Sequence, residues 1–396
     1  MGNDEKIRVI PHRGMKQIGG VCTEIATDEA RVFFDLGAPL EGEGEQKQLE
    51  IEGLTNGKAN TDAVFLTHYH GDHVGEIPNL LDGIPIYMHK KAKKILQLQQ
   101  EHKVSVGEVV WAKDAEELTP DVPILIKDLK ITPLASDHSA VDSLMYLVEG
   151  YDKRILITGD YRLHGFHAEE LKETFGSLGP IDLMVTEGTN INRSSPNYHD
   201  EQWVEEEFAR VFAKYKYVFL LTSSTNIDRI AAFSRRVPTG KHALADKYQT
   251  DVMRVADEGR EEKYKSFKIW PYKASKRELY EIRGFGMIIR TSSFFLPIVK
   301  EYFEKYPEKT CLIYSMWGGY IEKYSNIKEL LGYCENIEKI HVSGHITKED
   351  FVFALDTIAP KSLIIHHVSD NSSKKDLVIP SNTKLEELQD GEELWL

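Results

Sequence analysis

The first third of the chain is a series of short apolar runs broken by Gly and charged turns. Residues 7–10, 23–26 and 31–35 alternate or run apolar in this way and predict strands of a stacked β-sheet. Further strands are predicted at 129–132, 143–148, 154–158 and 181–186, each closing on a polar residue. Helical spacing predicts helices at roughly 75–81 and 90–103, the second with Lys91, Lys93 and Lys94 flanking Ile95 and Leu96. Beyond residue 197 the rhythm changes: helical periodicity over 199–214 and 226–236 is interleaved with apolar runs at 217–221, 287–289 and 311–314. Such alternation predicts a parallel α/β domain of its own. Near His341 the pattern returns to strand, followed by a helix over 347–355, a strand over 362–365 that ends in His366-His367, and a terminal strand or turn over 384–396. The expected division is therefore 1–196, an insertion over 197–340, and a return segment over 341–396.

Length supports that division, since 396 residues exceed what one ordinary core organises. The three cysteines, Cys22, Cys311 and Cys334, are far apart, which argues for a reducing compartment, and the cytoplasm is the expected location. The first ten residues are charged and short of apolar length, so no signal peptide is expected. No stretch approaches the ~20 apolar residues of a membrane span, and no membrane association is expected. A net charge of −14 weighs against a general nucleic-acid binder, which usually presents a basic face to phosphates. The objection is limited, because carboxylates that hold divalent cations count as negative while the cations do not.

The chemistry concentrates after the apolar run 63–66. Thr67-His68-Tyr69-His70-Gly71-Asp72-His73 puts three imidazoles and a carboxylate into six consecutive positions. Zinc takes neutral imidazole nitrogen and carboxylate oxygen, and a hydrolytic site keeps a position for water. His68 and His70, two apart in an extended segment, project to the same side, while Gly71 permits a turn after which Asp72 and His73 face a second ion. Asp160 follows the strand that ends in Thr158-Gly159, and His138 stands in Ser136-Asp137-His138-Ser139.

In this order the motifs resemble the metallo-β-lactamase fold with a β-CASP insertion, and the chain is most similar to the ribonuclease J branch of bacterial and archaeal nucleases. Asp35 in Phe33-Phe34-Asp35-Leu36-Gly37 matches the first, mostly supporting carboxylate of that family. His68, His70, Asp72 and His73 match the second motif, His138 the third and Asp160 the fourth. Glu187 in Thr186-Glu187-Gly188 looks like the acidic first β-CASP motif, His345 in Ser343-Gly344-His345 like the second, and His367 like the third. The resemblance implies an αββα sandwich with an inserted parallel α/β domain placed over the metals, and two zinc ions, with manganese as the alternative. His68, His70 and His138 would hold one ion, Asp72, His73 and His367 the other, and Asp160 would bridge. A hydroxide shared by the two would be the nucleophile.

Adjacent strand residues face opposite sides, so only one of His366 and His367 is expected at the metal, and the family register selects His367. Asp72, Glu187 and His345 are the expected catalytic residues, with His345 either binding a non-bridging phosphate oxygen or protonating the leaving group. Glu187 is alternatively an acceptor that fixes a metal-binding imidazole. Thr222, Ser223, Ser224 and Thr225 end a strand and open a helix, where hydroxyls and backbone N–H groups cradle phosphate or simply cap the helix. Similar turns contact substrate in ribonuclease J-like enzymes, so Ser223, Ser224 and Thr225 are expected to bind substrate together with His345. Arg229, Arg235, Arg236 and Lys241 are candidates to line the approach. The remaining histidines, among them His12, His89, His164, His199 and His341, are expected to pack or face solvent.

The resemblance implies RNA as partner, with single-stranded DNA as an alternative, and a homodimer. Two further classes stay open: a small-molecule or short-nucleotide hydrolase that keeps the insertion as a lid, and a non-catalytic scaffold, which would have lost ligands. The chain departs from ribonuclease J in three places. It stops soon after His367, it has Val368-Ser369 where Gly-Glu is common, and Tyr314-Ser315-Met316-Trp317-Gly318-Gly319-Tyr320 does not follow the family pattern. These departures bear on processivity, 5′-end preference and oligomeric state and leave the metal chemistry intact.

Overall fold

The structure, a computed structural model, describes residues 6–42, 46–104, 109–192, 199–258, 268–369 and 377–396. The chain folds into two compact units, one of residues 1–163, 167–196 and 344–396 and one of 164–166 and 197–343. No described helix is long and apolar enough to cross a membrane.

The first unit carries two seven-stranded sheets. One runs Leu394–Trp395, Arg8–Arg13, Cys22–Ala26, Arg31–Phe34, Ala63–Phe65, Ile86–His89, Glu116–Leu118; the other runs Lys384–Leu385, Ser362–His366, Leu183–Glu187, Lys153–Ile157, Leu144–Gly150, Leu129–Ala135, Ile124–Ile126. Alternation along the strands makes the sandwich. Val9, Ile25, Val32, Phe34 and Phe65 from the first sheet meet Ile131, Tyr146, Val148, Ile155, Ile157, Val185 and Ile364 from the second, all buried in one cluster. The opposite parity of the second sheet, Leu156, Met184, Leu363 and Ile365, packs on Leu171 and Phe175 of helix Ala168–Ser177 and on Phe351 and Leu355 of helix Lys348–Ile358. Thr347 caps the latter helix by accepting from the Asp350 N–H at 3.1 Å. This two-sheet α/β sandwich with a parallel α/β insertion is the architecture that the resemblance implies.

The second unit is built on one six-stranded parallel sheet, ordered Trp270–Pro271, His242–Ala245, Phe285–Ile289, Tyr217–Leu221, Thr310–Tyr314, Ile337–Lys339. Its three central strands, Phe285–Ile289, Tyr217–Leu221 and Thr310–Tyr314, are buried on both faces and read as apolar runs, as parallel sheets flanked by helices do.

Two local expectations are corrected. Over 75–81 the chain forms only a 3-10 turn, Ile77–Asn79, because Pro78 removes a donor; the α-helix is the short Gly71–Val74 before it. The strand expected near His341 is Ile337–Lys339, and it extends the second unit's sheet. Residues 341–343 stay with that unit, where Arg229 donates to the Val342 carbonyl at 3.2 Å, and the first unit resumes at Gly344.

Candidate metal centre

The first unit gathers its donors at the ends of strands. Ala63–Phe65 leads into His68, His70, Asp72 and His73; Leu129–Ala135 into His138; Lys153–Ile157 into Asp160; Leu183–Glu187 ends on Glu187; Ser362–His366 leads into His367. The loop geometry depends on Gly37, where a Cβ would lie 1.7 Å from the Asp72 carbonyl oxygen, so no side chain is possible there without displacing Asp72. Asp72 in turn accepts the Val21 N–H through that carbonyl at 3.1 Å.

The donors form three groups whose candidate ligand atoms lie within 4.8 Å of one another: His68, His70 and His138; Asp72, His73, Asp160 and His367; and Asp160, Glu187, His345 and His367. In the first group His70 Nδ1 is 3.1 Å from His68 Nε2 and 3.2 Å from His138 Nε2. His138 donates from Nδ1 to the Gly344 carbonyl at 2.6 Å, which leaves the Nε2 lone pair directed at its neighbours. Burial lowers the pKa of His68 and His138 well below the usual imidazole value and takes His70 to about 4. Neutral imidazoles packed nitrogen to nitrogen are what a cation needs.

In the second group Asp35 holds His73. Its Oδ2 is 2.7 Å from His73 Nδ1, and its other contacts are the N–H and hydroxyl of Thr67, each at 2.8 Å. Asp35 is buried and fixes the His73 ring, as carboxylates behind metal-binding histidines do. His73 Nε2 then faces Asp160 Oδ2 at 3.2 Å, and His367 Nε2 lies 3.3 Å from Asp72 Oδ2 and 3.9 Å from Asp160 Oδ1. Burial would raise the Asp160 carboxyl, but the charges of His367, His73 and His345 lower it well below the usual range. Even so, among the described residues neither Asp160 oxygen nor His73 Nε2 has a hydrogen-bond partner of proper geometry, though all are buried. Buried polar atoms are seldom left so, and a doubly unsatisfied carboxylate ringed by imidazole nitrogens fits a metal-binding site. The donor set, nitrogen with carboxylate oxygen, is that of zinc or manganese.

In the third group His345 Nδ1 is 3.1 Å from Glu187 Oε2 and 3.5 Å from Asp160 Oδ2. Glu187 is fully buried and accepts the backbone N–H groups of Tyr161, Thr189 and Ile346 at 3.1–3.3 Å. Burial would lower the His345 pKa, but the Glu187 and Asp160 charges and the Glu187 hydrogen bond push it up to about 9. A quarter of the His345 side chain remains exposed, so this imidazole faces solvent while its anchors do not.

His367 is grouped with the carboxylates and His366 is not. Sequence reasoning missed Thr189, whose Oγ1 is 2.7 Å from His367 Nδ1, and the role of Thr67. Both flank quoted motifs, but a hydroxyl's partner is set by tertiary contact and leaves no spacing signal. Ser223, Ser224 and Thr225 belong to the second unit, at the end of Tyr217–Leu221, with Ser223 and Thr225 hydroxyls 3.0 Å apart and Asn226 capping helix Ile227–Arg236. The basic residues beside them have partners within the second unit. Arg229 is wholly buried against Glu201. Arg235 and Arg236 pair with Glu205, and Lys241 donates to the Tyr215 carbonyl at 3.0 Å. Of the histidines expected to pack, His12 pairs with Glu24, His89 caps helix Lys90–Lys103, and His199 stacks on Trp203.

Comparison with known proteins agrees with this geometry. Residues 42–217 match the family described as Beta-lactamase superfamily domain. Over those residues the chain is similar to that family, and its relatives include proteins named as ribonucleases. It is 26% identical over 208 residues to the Probable RNase MJ4 of Methanocaldococcus jannaschii, covering 48% of this chain and 47% of that one. It is 24% identical over 233 residues to the Ribonuclease J of Mycoplasma genitalium, covering 55% of this chain and 39% of that one. The chain thus spans about half the length of such relatives, or less. A crystal structure of a protein of unknown function from Enterococcus faecalis shares the fold over 99% of this chain and 100% of that one, with a TM-score of 0.79 at 19% identity.

Proposed function

We propose that the chain is a metal-dependent nuclease that hydrolyses phosphodiester bonds in RNA. The observation that carries the reading is Asp160, a buried carboxylate with neither oxygen satisfied, between a three-imidazole group and a group of two imidazoles and a carboxylate. Relatives named as ribonucleases support the choice of RNA over other esters.

In this reading His68, His70 and His138 would hold one zinc ion, Asp72, His73 and His367 would hold a second, and Asp160 would serve both; manganese is the alternative. When bound, such ions supply Lewis acidity at the phosphate and a nucleophile near neutral pH. Asp35 orients His73 through Nδ1. His345, clamped at Nδ1 by Glu187, presents Nε2 to the solvent side, where it donates a proton to the leaving oxygen or a hydrogen bond to the phosphate. Glu187 acts through His345 by fixing its ring. The hydroxyls of Ser223, Ser224 and Thr225 bind phosphate of the same substrate. A cytoplasmic location and a homodimer complete the proposal.

The test is end-labelled single-stranded RNA and DNA incubated with protein purified without chelators, with zinc or manganese and with EDTA. RNA cleavage abolished by chelator and restored by metal is expected, with close to two ions per chain by elemental analysis. Full activity of metal-free protein would sink the mechanism.

A further inference from the structure

The strands Leu183–Glu187 and Ser362–His366 are parallel neighbours in the first unit, with Glu187 opposite His366. The chain leaves both strands side by side, and this brings Thr189 against His367. The two turns meet at Gly188, where a Cβ would lie 2.3 Å from Val368 Cγ1 and 2.6 Å from Ile365 Cγ2, so only glycine lets them close. His367 itself has a left-handed backbone, φ 53°, a conformation that few side chains adopt and that its surroundings must hold.

Thr189 holds it at two points. Its Oγ1 is 2.7 Å from His367 Nδ1 and 3.4 Å from the His367 carbonyl oxygen, and the same atom is 3.3 Å from His345 Nδ1. Each proton can be placed. His345 Nδ1 faces both Glu187 oxygens, at 3.3 and 3.1 Å, so it is a donor and takes no hydrogen from Thr189. His367 turns Nε2 toward Asp72 Oδ2 and Asp160 Oδ1, the side a cation would occupy, so a ligating His367 carries its proton on Nδ1. Thr189 Oγ1 accepts from that Nδ1 and sends its own hydrogen to the His367 carbonyl. One hydroxyl thereby fixes the ring and the backbone of the same residue. The Thr189 N–H donates to Glu187 Oε2 at 3.3 Å, so three consecutive residues carry the anchors of both histidines.

We infer that Thr189 is a positioning residue that commits His367 to ligation through Nε2 and so sets the affinity of the second cation without touching it. The inference rests on the reading that His367 holds that cation. It also distinguishes the anchors within one group: His73 is backed by a carboxylate, Asp35, while His367 is backed by a neutral hydroxyl, which fixes the tautomer without adding charge.

The experiment is titration of the full chain with zinc against a competing chromophoric chelator, which resolves the two ions by affinity. Thr189→Val keeps the shape of the side chain and removes the hydroxyl. It is expected to weaken one ion by roughly tenfold to a hundredfold, the same ion that His367→Ala loses, and to leave the other as in wild type. Thr189→Ser should recover most of the affinity, which a loss through packing alone would not allow. A second measurement needs no variant: the imidazole ¹⁵N spectrum of zinc-loaded wild type should show the His367 proton on Nδ1. Wild-type affinity for both ions in Thr189→Val, an equal loss of both, no recovery in Thr189→Ser, or a His367 proton on Nε2 overturns the inference. The reading beneath it fails separately, if His367→Ala still binds both ions.

Discussion

Two buried carboxylates, one in each unit, have opposite surroundings. Glu201 is fully buried and gives both oxygens to Arg229, at 3.0 Å to Nε and 2.8 Å to Nη2, while the guanidinium's remaining N–H groups reach Ser315 and the Val342 carbonyl. Asp160 is 2% exposed, and its nearest neighbours are imidazole nitrogens at 3.2–3.9 Å, none in hydrogen-bond geometry. A closed pair has its desolvation offset inside the protein and serves the fold. An open carboxylate is tolerated only where something else completes it, and that marks the first unit's site as chemical and the second unit's pair as structural.

The comparison breaks most visibly at Asp160. Asp160→Asn keeps the shape and removes the charge, so RNA cleavage is expected to fall by roughly 10⁴-fold or more as the shared ligand is lost. Thermal melting is the second readout: the imidazole charges that hold the Asp160 carboxyl down offset its burial in chelator, so the variant is expected to melt no higher than metal-free wild type, while added metal should raise the melting temperature of wild type and not of the variant. A variant that metal still stabilises as it does wild type would mean that Asp160 holds no metal. Glu201→Ala is the mirror experiment. It strands Arg229 in the interior, and unfolding in urea should show a loss of about 3–5 kcal/mol from the second unit's transition, with or without metal.

The same contrast explains what the sequence made legible. Apolar runs such as 217–221 and 154–158 set strands, and the spacing of His68, His70, Asp72 and His73 announced a metal site because few other chemistries need that density of donors. The buried status of Arg229 was not legible. On a helix with charged neighbours it reads as one more solvated cation, and only the approach of Glu201, 28 positions earlier, makes it a core residue. The strands Ile86–His89, Glu116–Leu118 and Ile124–Ile126, at or next to the sheet edges, are three or four residues long and too short for periodicity to register. Among site residues, Thr67 and Thr189 escaped because a hydroxyl that orients an imidazole is chosen by three-dimensional reach.

Glu187 stands between the two extremes, buried yet paired with three backbone N–H groups and one imidazole that reaches solvent. If its purpose is to hold His345, then His345→Ala should lower RNA turnover by roughly 10²-fold, the usual scale for an acid or a charge-stabilising donor. Metal content should stay unchanged, while His367→Ala should lose an ion. The reverse pattern would exchange the assignments of these two histidines.

Glu24 supplies a smaller and purely structural case on the first sheet. Facing it are Arg8 and His12 from the strand Arg8–Arg13 and Arg31 from Arg31–Phe34, at 2.8–3.0 Å. Burial alone would raise its carboxyl, but the hydrogen bonds of His12 and Arg31 and the Arg31 charge hold it at about 2. A carboxyl depressed on folding contributes stability that is fully present above its unfolded pKa near ~4.3 and fades as pH falls toward the folded value. With allowance for partial exposure, Glu24→Gln should cost about 2 kcal/mol near neutral pH. The cost should shrink steadily on acidification, so that wild type and variant converge by about pH 2. Urea midpoints measured in chelator across that range check it, since the metal centre then contributes no binding energy. A gap between the two proteins that stayed constant down to acid pH would show that Gln fails for reasons of packing, and the paired carboxylate would no longer stand as the counterpart of the open one at Asp160.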